Sequence, residues 1–218
     1  MSKLVAVLAY NEVRSIGDVV RGARRFGDVL VVDDDSTDET IAEAVSAGAT
    51  ILRHKTNLGG GAGFRTVSAL ALHNNYEFLV TLDGDGEHDP RDLPSLLRVS
   101  PDADVVLGSR FLAGRPKMAN YQGLGCRFYS KLASLLSGVS LSDVTSCYRV
   151  YRTTLLKEIL PRLKENRYYG IEVLLKLLGV GARVVEVPIG YRRRQHGASK
   201  MGFFRFAWHL LRETWEAA

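Results

Sequence analysis

Three carboxylates fall within five residues, at Asp83, Asp85 and Glu87, with Gly84 and Gly86 between them. So close together, they repel one another unless a cation or a set of donors offsets the charge. Oxygen-only ligands on a short loop suit Mg²⁺ or Mn²⁺, ions that share their shell with waters and substrate phosphates. The glycines allow the backbone to approach a ligand closely. The loop follows Phe78–Leu82, an apolar run of strand length, which ties the acidic cluster to the end of a buried strand. A solvated surface loop would use the same residue types, so it is the position of Asp83-x-Asp85 that gives it weight.

The pattern recurs along the first half of the chain. Lys3–Ala9 runs into Tyr10-Asn11-Glu12, and Val29–Val32 runs into Asp33-Asp34-Asp35-Ser36. Thr50–Arg53 leads to Asn57-Leu58-Gly59-Gly60-Gly61. Turn chemistry explains any one such cluster. Four in succession point to one shared edge, the carboxyl edge at which open parallel sheets bind ligands. A carboxylate of Asp33–Asp35 can accept from a nucleobase N–H or from ribose hydroxyls, while its neighbours cap a helix. The glycine run departs from the dinucleotide fingerprint, and no Lys-Ser/Thr pair follows it to make a P-loop. It still offers N–H groups near a helix start for a phosphate or ribose.

The elements that must position these residues follow from hydrophobic spacing. Helices are predicted over Ser15–Phe26, with Ile16, Val19, Val20 and Ala23 on one face, over Ser36–Ala47, and over about Gly63 to Asn74. Ser36 and Glu39 form a capping-box pattern, and Asp89-Pro90 reads as an N-cap followed by proline at the first helical position. Val105–Leu107 is a fifth strand. The second half is less regular: helices over Tyr121–Leu136, Thr153–Leu160 and Gly170–Leu178, and strands over Cys147–Tyr151 and Arg183–Pro188. Strand–helix alternation with strands apolar on both faces predicts one α/β domain, a mainly parallel central sheet with helices on both faces.

Composition excludes several classes. The 218 residues, 46% hydrophobic and 24% charged, are those of an ordinary globular protein rather than a disordered chain or a disulfide scaffold. No apolar run reaches the roughly 18–20 residues that span a bilayer. The opening MSKLVAVLAYNE reads as a buried first strand rather than a signal peptide. Cys126 and Cys147, without CxxC spacing, predict buried thiols in a reducing compartment. Of the net charge of +5, +4 sits in the tail: residues 183–218 carry seven basic and three acidic side chains. That asymmetry predicts an anionic partner. In the last stretch, Phe203, Phe204, Ala207, Trp208, Leu211 and Trp215 share one helical side, with Arg205, His209, Arg212 and Glu216 on another. Aromatics opposite basic residues suit a helix in a membrane interface, or one packed on the protein's own sheet.

The runs Ala9-Tyr10-Asn11-Glu12, Val32-Asp33-Asp34-Asp35-Ser36-Thr37-Asp38, Asn57-Leu58-Gly59, Asp83-Gly84-Asp85 and Gly108-Ser109-Arg110 together resemble the family 2 glycosyltransferases of GT-A fold. Asp143-Val144-Thr145-Ser146 and Arg194-Gln195-His196-Gly197-Ala198-Ser199-Lys200 resemble its polyprenyl-phosphate branch, which includes the dolichyl-phosphate mannose synthases. The resemblance spans nearly the whole chain. It implies a single GT-A catalytic domain over 1–202, with a nucleotide-sugar half at 1–112 and an acceptor half at 113–202, followed by an amphipathic helix at 203–218. The implied donor is a UDP- or GDP-sugar, contacted by Ala9, Tyr10, Glu12, Asp34, Asp83 and Gly84. A divalent metal (Mg²⁺ or Mn²⁺) would sit on Asp83, Asp85 and Glu87. Arg110, Arg127, Ser130, Arg194 and Lys200 would grip phosphates, with Asp85, Arg110 and Arg194 at the centre of catalysis. Three positions depart from the family's pattern: Ala9 where proline is frequent, Cys147 in place of glycine, and Glu87 in place of glutamine, which adds negative charge at the metal.

The implied reaction is inverting transfer of a hexose (mannose, glucose or N-acetylhexosamine) to a polyprenyl, dolichyl-type phosphate. The implied setting is the cytoplasmic face of a membrane, reached through the C-terminal helix or a membrane-anchoring partner protein, with no nucleic acid involved. A phosphate acceptor is already largely ionised near neutral pH, so cations to hold it matter more than a strong base. Two alternatives stay open. A saccharide hydroxyl acceptor would need Asp143 or Glu172 as base, and a non-catalytic module would bind a nucleotide-sugar or a polyanion through the basic tail.

Overall fold

The computed structural model describes residues 2–114, 120–164 and 169–192. Seven strands form one sheet: β1 (Lys3–Ala9), β2 (Asp28–Asp33), β3 (Thr50–Arg53), β4 (Phe78–Asp83), β5 (Val105–Ser109), β6 (Arg149–Arg152) and β7 (Val184–Pro188). Their order is β3-β2-β1-β4-β6-β5-β7. All pairings are parallel except those of β6, which is antiparallel to β4 and β5.

The strands are apolar on both faces because both faces are covered. Leu4 and Ala6 of β1 pack with helices α3 (Gly60–His73), α5 (Asn120–Ser137), α6 (Thr153–Ile159) and α7 (Tyr169–Gly179). Val5, Val7 and Ala9 point the other way, toward α1 (Ile16–Ala23), α2 (Thr40–Ser46) and α4 (Leu93–Val99). Alternate residues of one strand therefore serve two cores, as a strand's period of two requires.

Two local expectations change. The capping box at Ser36 and Glu39 does not form: α2 starts at Thr40 with no side-chain cap bond, because the Ser36 hydroxyl is engaged by the β1 loop instead. The strand expected from Cys147 begins at Arg149, since residues 143–147 are held as a loop by side-chain bonds. The Asp89-Pro90 signal holds, with the Asp89 carboxylate accepting from the Arg91 N–H at 3.0 Å at the start of a 3₁₀ turn.

Topology fixes where a ligand can bind. From β1 the chain builds outward to β2 and β3, then crosses back to place β4 on β1's other side. Ligand crevices open at such reversals, outside the carboxyl ends of the strands. Here Leu8 is paired with Asp83 and Ala9 with Asp33, so the acidic ends of β4 and β2 flank the end of β1. Because β6 runs backwards, the loop preceding it, residues 143–148, arrives at this same edge.

Candidate active site

At the ends of β1 and β2, the two loops are laced together mainly by neutral side chains. Asn11 takes a left-handed backbone (φ 55°), its N–H donates to Ser36 Oγ (2.8 Å), and its Oδ1 accepts from the Thr37 N–H (2.8 Å). The Glu12 N–H donates to Thr40 Oγ1 (2.8 Å), and Thr40 in turn donates to Asp38 Oδ1. Tyr10 and Glu12 thus sit half-buried on a braced turn. Asp34, expected to contact the nucleoside, has a carboxylate that already holds three protein groups: Leu58 N (2.9 Å), Gly59 N (2.7 Å) and His54 Nδ1 (2.9 Å). It clasps the glycine-rich turn to the site, where Gly59, at φ 89°, adopts a backbone that favours glycine. Asp33 is fully buried and caps the Ser36 N–H at 3.0 Å.

The acidic loop is fixed by its backbone, leaving its carboxylates at the edge. Gly84 donates to Leu8 O (2.9 Å), and Ser15 Oγ donates to Gly84 O (2.8 Å). A Cβ at Gly84 would lie 3.0 Å from Ile16 Cδ1 and 3.2 Å from Ala9 Cβ, so glycine is needed for the close approach. The Asp83 side chain is 39% exposed, and Asp85 and Glu87 are half-buried. Asp85 Oδ1 accepts from the Glu87 N–H at 3.0 Å. Among the described residues no three His, Cys, Asp or Glu side chains already converge on one point. The donor set fits Mg²⁺ or Mn²⁺ nonetheless, since such ions take one or two carboxylates and complete their shell with waters and phosphate oxygens. Beneath the loop lies His88, 4% exposed, its ring 5.2 Å from that of Tyr148 and its Nδ1 4.0 Å from Asp83 Oδ2. Burial, reinforced by Arg110, pushes its pKa down to about 4, so it is neutral at physiological pH.

The cationic side is built from buried charge. Arg110 follows β5 and grips Asp143 with a fork: Nε to Oδ2 and Nη2 to Oδ1, both 2.7 Å, with its backbone N–H on Oδ2 at 3.0 Å. Nη2 also donates to Thr145 Oγ1 at 2.6 Å. Asp143 is fully buried and Arg110 is 9% exposed. Burial opposes both charges, yet the pairing holds Asp143 below the usual carboxylate range and Arg110 above its ordinary value. With both oxygens on Arg110, Asp143 acts as the group that orients it. The loop is pinned from two further directions. Glu186 of β7 accepts from the Ser142 and Asp143 N–H groups (2.9–3.0 Å). Arg149, fully buried, donates to the carbonyls of Ser146 (2.8 Å), Val144 (2.7 Å) and Gly170 (2.5 Å). Glu172, the other base candidate, is 1% exposed and accepts from the Lys164 N–H at 2.8 Å, with Lys176 at 3.5 Å. Both cysteines are free thiols and half-buried rather than fully enclosed. Burial pushes Cys147 up to about 12.

Beside this pair lies an open groove of about 440 Å³, walled by Phe111, Arg127, Ser130, Lys131, Ser134 and Ser142 among others. The Arg127 guanidinium stands 5.2 Å over the Phe111 ring. Ser130 lines it but is 2% exposed, with its hydroxyl donating to Cys126 O (2.9 Å) and accepting from the Val144 N–H (3.1 Å). Lys131 was missed from sequence, although it stands four residues after Arg127 and so on the same helical side. Arg192 ties the start of the basic segment to the acidic loop, its N–H on Glu87 O (3.1 Å) and its guanidinium 2.6 Å from Asp89. Arg194, Lys200 and the helix expected over 203–218 lie outside the described residues.

This geometry has counterparts among known proteins. The family model described as glycosyl transferase family 2 matches residues 4–160. An undecaprenyl-phosphate mannosyltransferase of Micrococcus luteus is 37% identical over 219 residues, covering 92% of this chain and 88% of that protein. A polyprenol monophosphomannose synthase of Mycolicibacterium smegmatis is 32% identical over 215 residues, covering 91% and 80%. Among solved structures, glucosyl-3-phosphoglycerate synthase from Mycobacterium tuberculosis, in complex with Mn²⁺, uridine-diphosphate and phosphoglyceric acid, superimposes with a TM-score of 0.78. That match covers 99% of this chain and 78% of the other at 17% identity, a likeness of fold.

Proposed function

The chain belongs to glycosyl transferase family 2, and we propose that it is an inverting, metal-dependent enzyme moving a hexose from a nucleotide-sugar to a polyprenyl phosphate. The observation that carries this reading is the Arg110–Asp143 pair. Of the two candidate bases, Asp143 is committed through both oxygens to a buried arginine, and Glu172 is buried against the Lys164 N–H and Lys176. A site arranged this way suits an acceptor that brings its own negative charge. The names of the two relatives, each an enzyme of prenyl-phosphate mannosyl transfer, support the same acceptor class.

In the reaction a phosphate oxygen of the acceptor attacks the anomeric carbon, and the bond to the nucleoside diphosphate breaks with its electron pair leaving on the diphosphate. No proton has to move. Asp83 and Asp85, with Glu87 alongside, would hold a divalent ion, which when bound would neutralise charge on the departing diphosphate. Tyr10, Glu12 and the Asp34-clasped turn form the nucleoside end. Arg110, kept charged by Asp143, faces the phosphates, where a planar fork favours bidentate contact. Arg127 and Lys131 add two cations in the adjoining groove. Arg194 and Lys200 extend the same role from the basic segment. In this reading the enzyme works peripherally at the cytoplasmic face of a membrane, attached through residues 203–218 or a partner protein.

The test is transfer of labelled sugar in the presence of Mn²⁺ or Mg²⁺. Asp85→Ala and metal chelation are each expected to abolish product. Full activity in Asp85→Ala would remove the acidic loop from the mechanism.

A further inference from the structure

We propose that His54 is a positioning residue for the nucleotide-sugar: it fills one oxygen of the Asp34 carboxylate and fixes its plane, so that a single acceptor site, on Oδ2, is offered to the nucleoside. The inference rests on the reading above in which Asp34 belongs to the nucleoside end.

His54 is the first residue after β3. Its backbone N–H donates to Asp33 O at 2.9 Å, which continues the parallel pairing of β2 with β3 by one step. The side chain is 9% exposed and spans from the loop after β2 to helix α3. Nδ1 lies 2.9 Å from Asp34 Oδ1, and Nε2 lies 3.2 Å from Thr66 Oγ1. A histidine closing a four-residue strand has no need of either bond for the sheet, yet both ring nitrogens are used inside the protein.

Chemistry sets the direction of the two bonds. A carboxylate only accepts, so Nδ1 carries the proton it shares with Asp34. In the neutral ring Nε2 is then an acceptor, and the Thr66 hydroxyl is the donor that completes it. Thr66 thereby selects the tautomer, as the bond made by one ring nitrogen does for the other.

Counting acceptor sites shows what the ring does for Asp34. A carboxylate has about four lone-pair sites. Oδ1 accepts from the Leu58 N–H and from His54, and Oδ2 accepts from the Gly59 N–H. Without the ring, one site on each oxygen would stay open, and the plane would be fixed from the glycine-rich turn alone. With it the carboxylate is held from two sides. Among the described residues Oδ2 then has one partner, on a side chain that is 13% exposed. What remains can take one N–H or O–H donor, from a base edge or from a ribose hydroxyl.

Calorimetric titration of the full-length protein with UDP and with GDP, each with Mg²⁺, tests the proposal, and Mg²⁺ pyrophosphate is the ligand that lacks a nucleoside. His54→Ala is expected to weaken whichever nucleoside diphosphate the wild type binds about tenfold, the worth of one hydrogen bond to a charged group, and to leave pyrophosphate binding unchanged. In turnover it should raise KM for the nucleotide-sugar with kcat little changed. His54→Asn, whose amide N–H reaches the place of Nδ1, should restore most of the affinity. His54→Gln, whose amide reaches the place of Nε2, should not, and this pair decides the matter if His54→Ala does not fold. A penalty that disappears with a dideoxyribose analogue would assign the donor to the ribose, and one that persists would assign it to the base; either supports the positioning role. Wild-type nucleotide affinity in His54→Ala, rescue by Gln rather than Asn, or an equal loss for pyrophosphate would overturn the proposal, since each marks a ring that only fills space or braces α3. Wild-type nucleotide affinity in Asp34→Ala would instead overturn the nucleoside reading of Asp34, whatever the His54 variants show.

Discussion

The two banks of the crevice are built from different materials. The bank proposed to bind the nucleotide, at the ends of β1, β2 and β4, is held mainly by neutral Ser, Thr and Asn side chains bonded to backbone, as Ser36 and Thr40 are to Asn11 and Glu12. Asp83, Asp85 and Glu87 are partly exposed, Asp34 clasps the glycine-rich turn, and Asp33 is buried as a cap on the Ser36 N–H. The phosphate bank, at the end of β5 and before β6, is held by buried charge: Arg110 on Asp143, and Arg149 on three carbonyls. The difference teaches a division of tasks. On the proposed reading, a bank that binds a neutral base and a metal relies on shape and on carboxylates near the surface, whereas one that receives an anion must keep a cation charged and aimed inside the protein.

The contrast can be broken most sharply at Asp143. Asp143→Ala leaves Arg110 buried without its partner, and unfolding in urea should show a loss of about 3–5 kcal/mol. A loss below about 1 kcal/mol would mean that water replaces the carboxylate and that the bank is not built on the pair. Arg110→Lys keeps the charge but not the fork; sugar transfer should fall about 10–100-fold, roughly the worth of one charge-assisted bond, with the fold intact by circular dichroism.

Acid sharpens the same distinction. The folded pKa of Asp143 is depressed, so its contribution is fully present above the unfolded carboxylate value of about 4 and is lost as pH falls through the lower folded value. Stability of the wild type should therefore drop steeply below about pH 4, and the drop should be shallower in Asp143→Asn. Parallel profiles for the two proteins would contradict the assignment.

Smaller effects belong to the nucleotide bank. Gly84→Ala crowds Ile16 and Ala9 and should destabilise by about 1–3 kcal/mol, with metal-dependent turnover reduced because the acidic loop shifts. Ser36→Ala and Thr40→Ala each remove one loop-bracing bond and should cost about 1 kcal/mol in thermal melts, with KM for the nucleotide-sugar raised and kcat little changed.

Much of this arrangement was legible in the chain. Hydrophobic runs located every strand, and Asp83-x-Asp85 was placed correctly because its strand, Phe78–Asp83, is unbroken and apolar. What escaped were features decided by partners distant in sequence. Ser36 reads locally as a helix cap, but its hydroxyl is taken by Asn11, twenty-five residues away. The direction of β6 leaves no mark on its composition, yet it brings residues 143–148 to the site. Arg149 looks like a surface charge in Cys147-Tyr148-Arg149-Val150, and only its three carbonyl partners make its burial tolerable. Asp143 was read as a candidate base, and its two 2.7 Å bonds to Arg110, which suit a group that orients the arginine, leave no mark in the sequence.

The central claim is that the acceptor nucleophile is an anionic phosphate needing no base. The direct measurement offers the full-length enzyme, with Mn²⁺ and a labelled nucleotide-sugar, a polyprenyl phosphate and the corresponding polyprenol side by side. Labelled lipid from the phosphate alone is the expected result. Transfer to the polyprenol, or to a saccharide hydroxyl, at a comparable rate would contradict it.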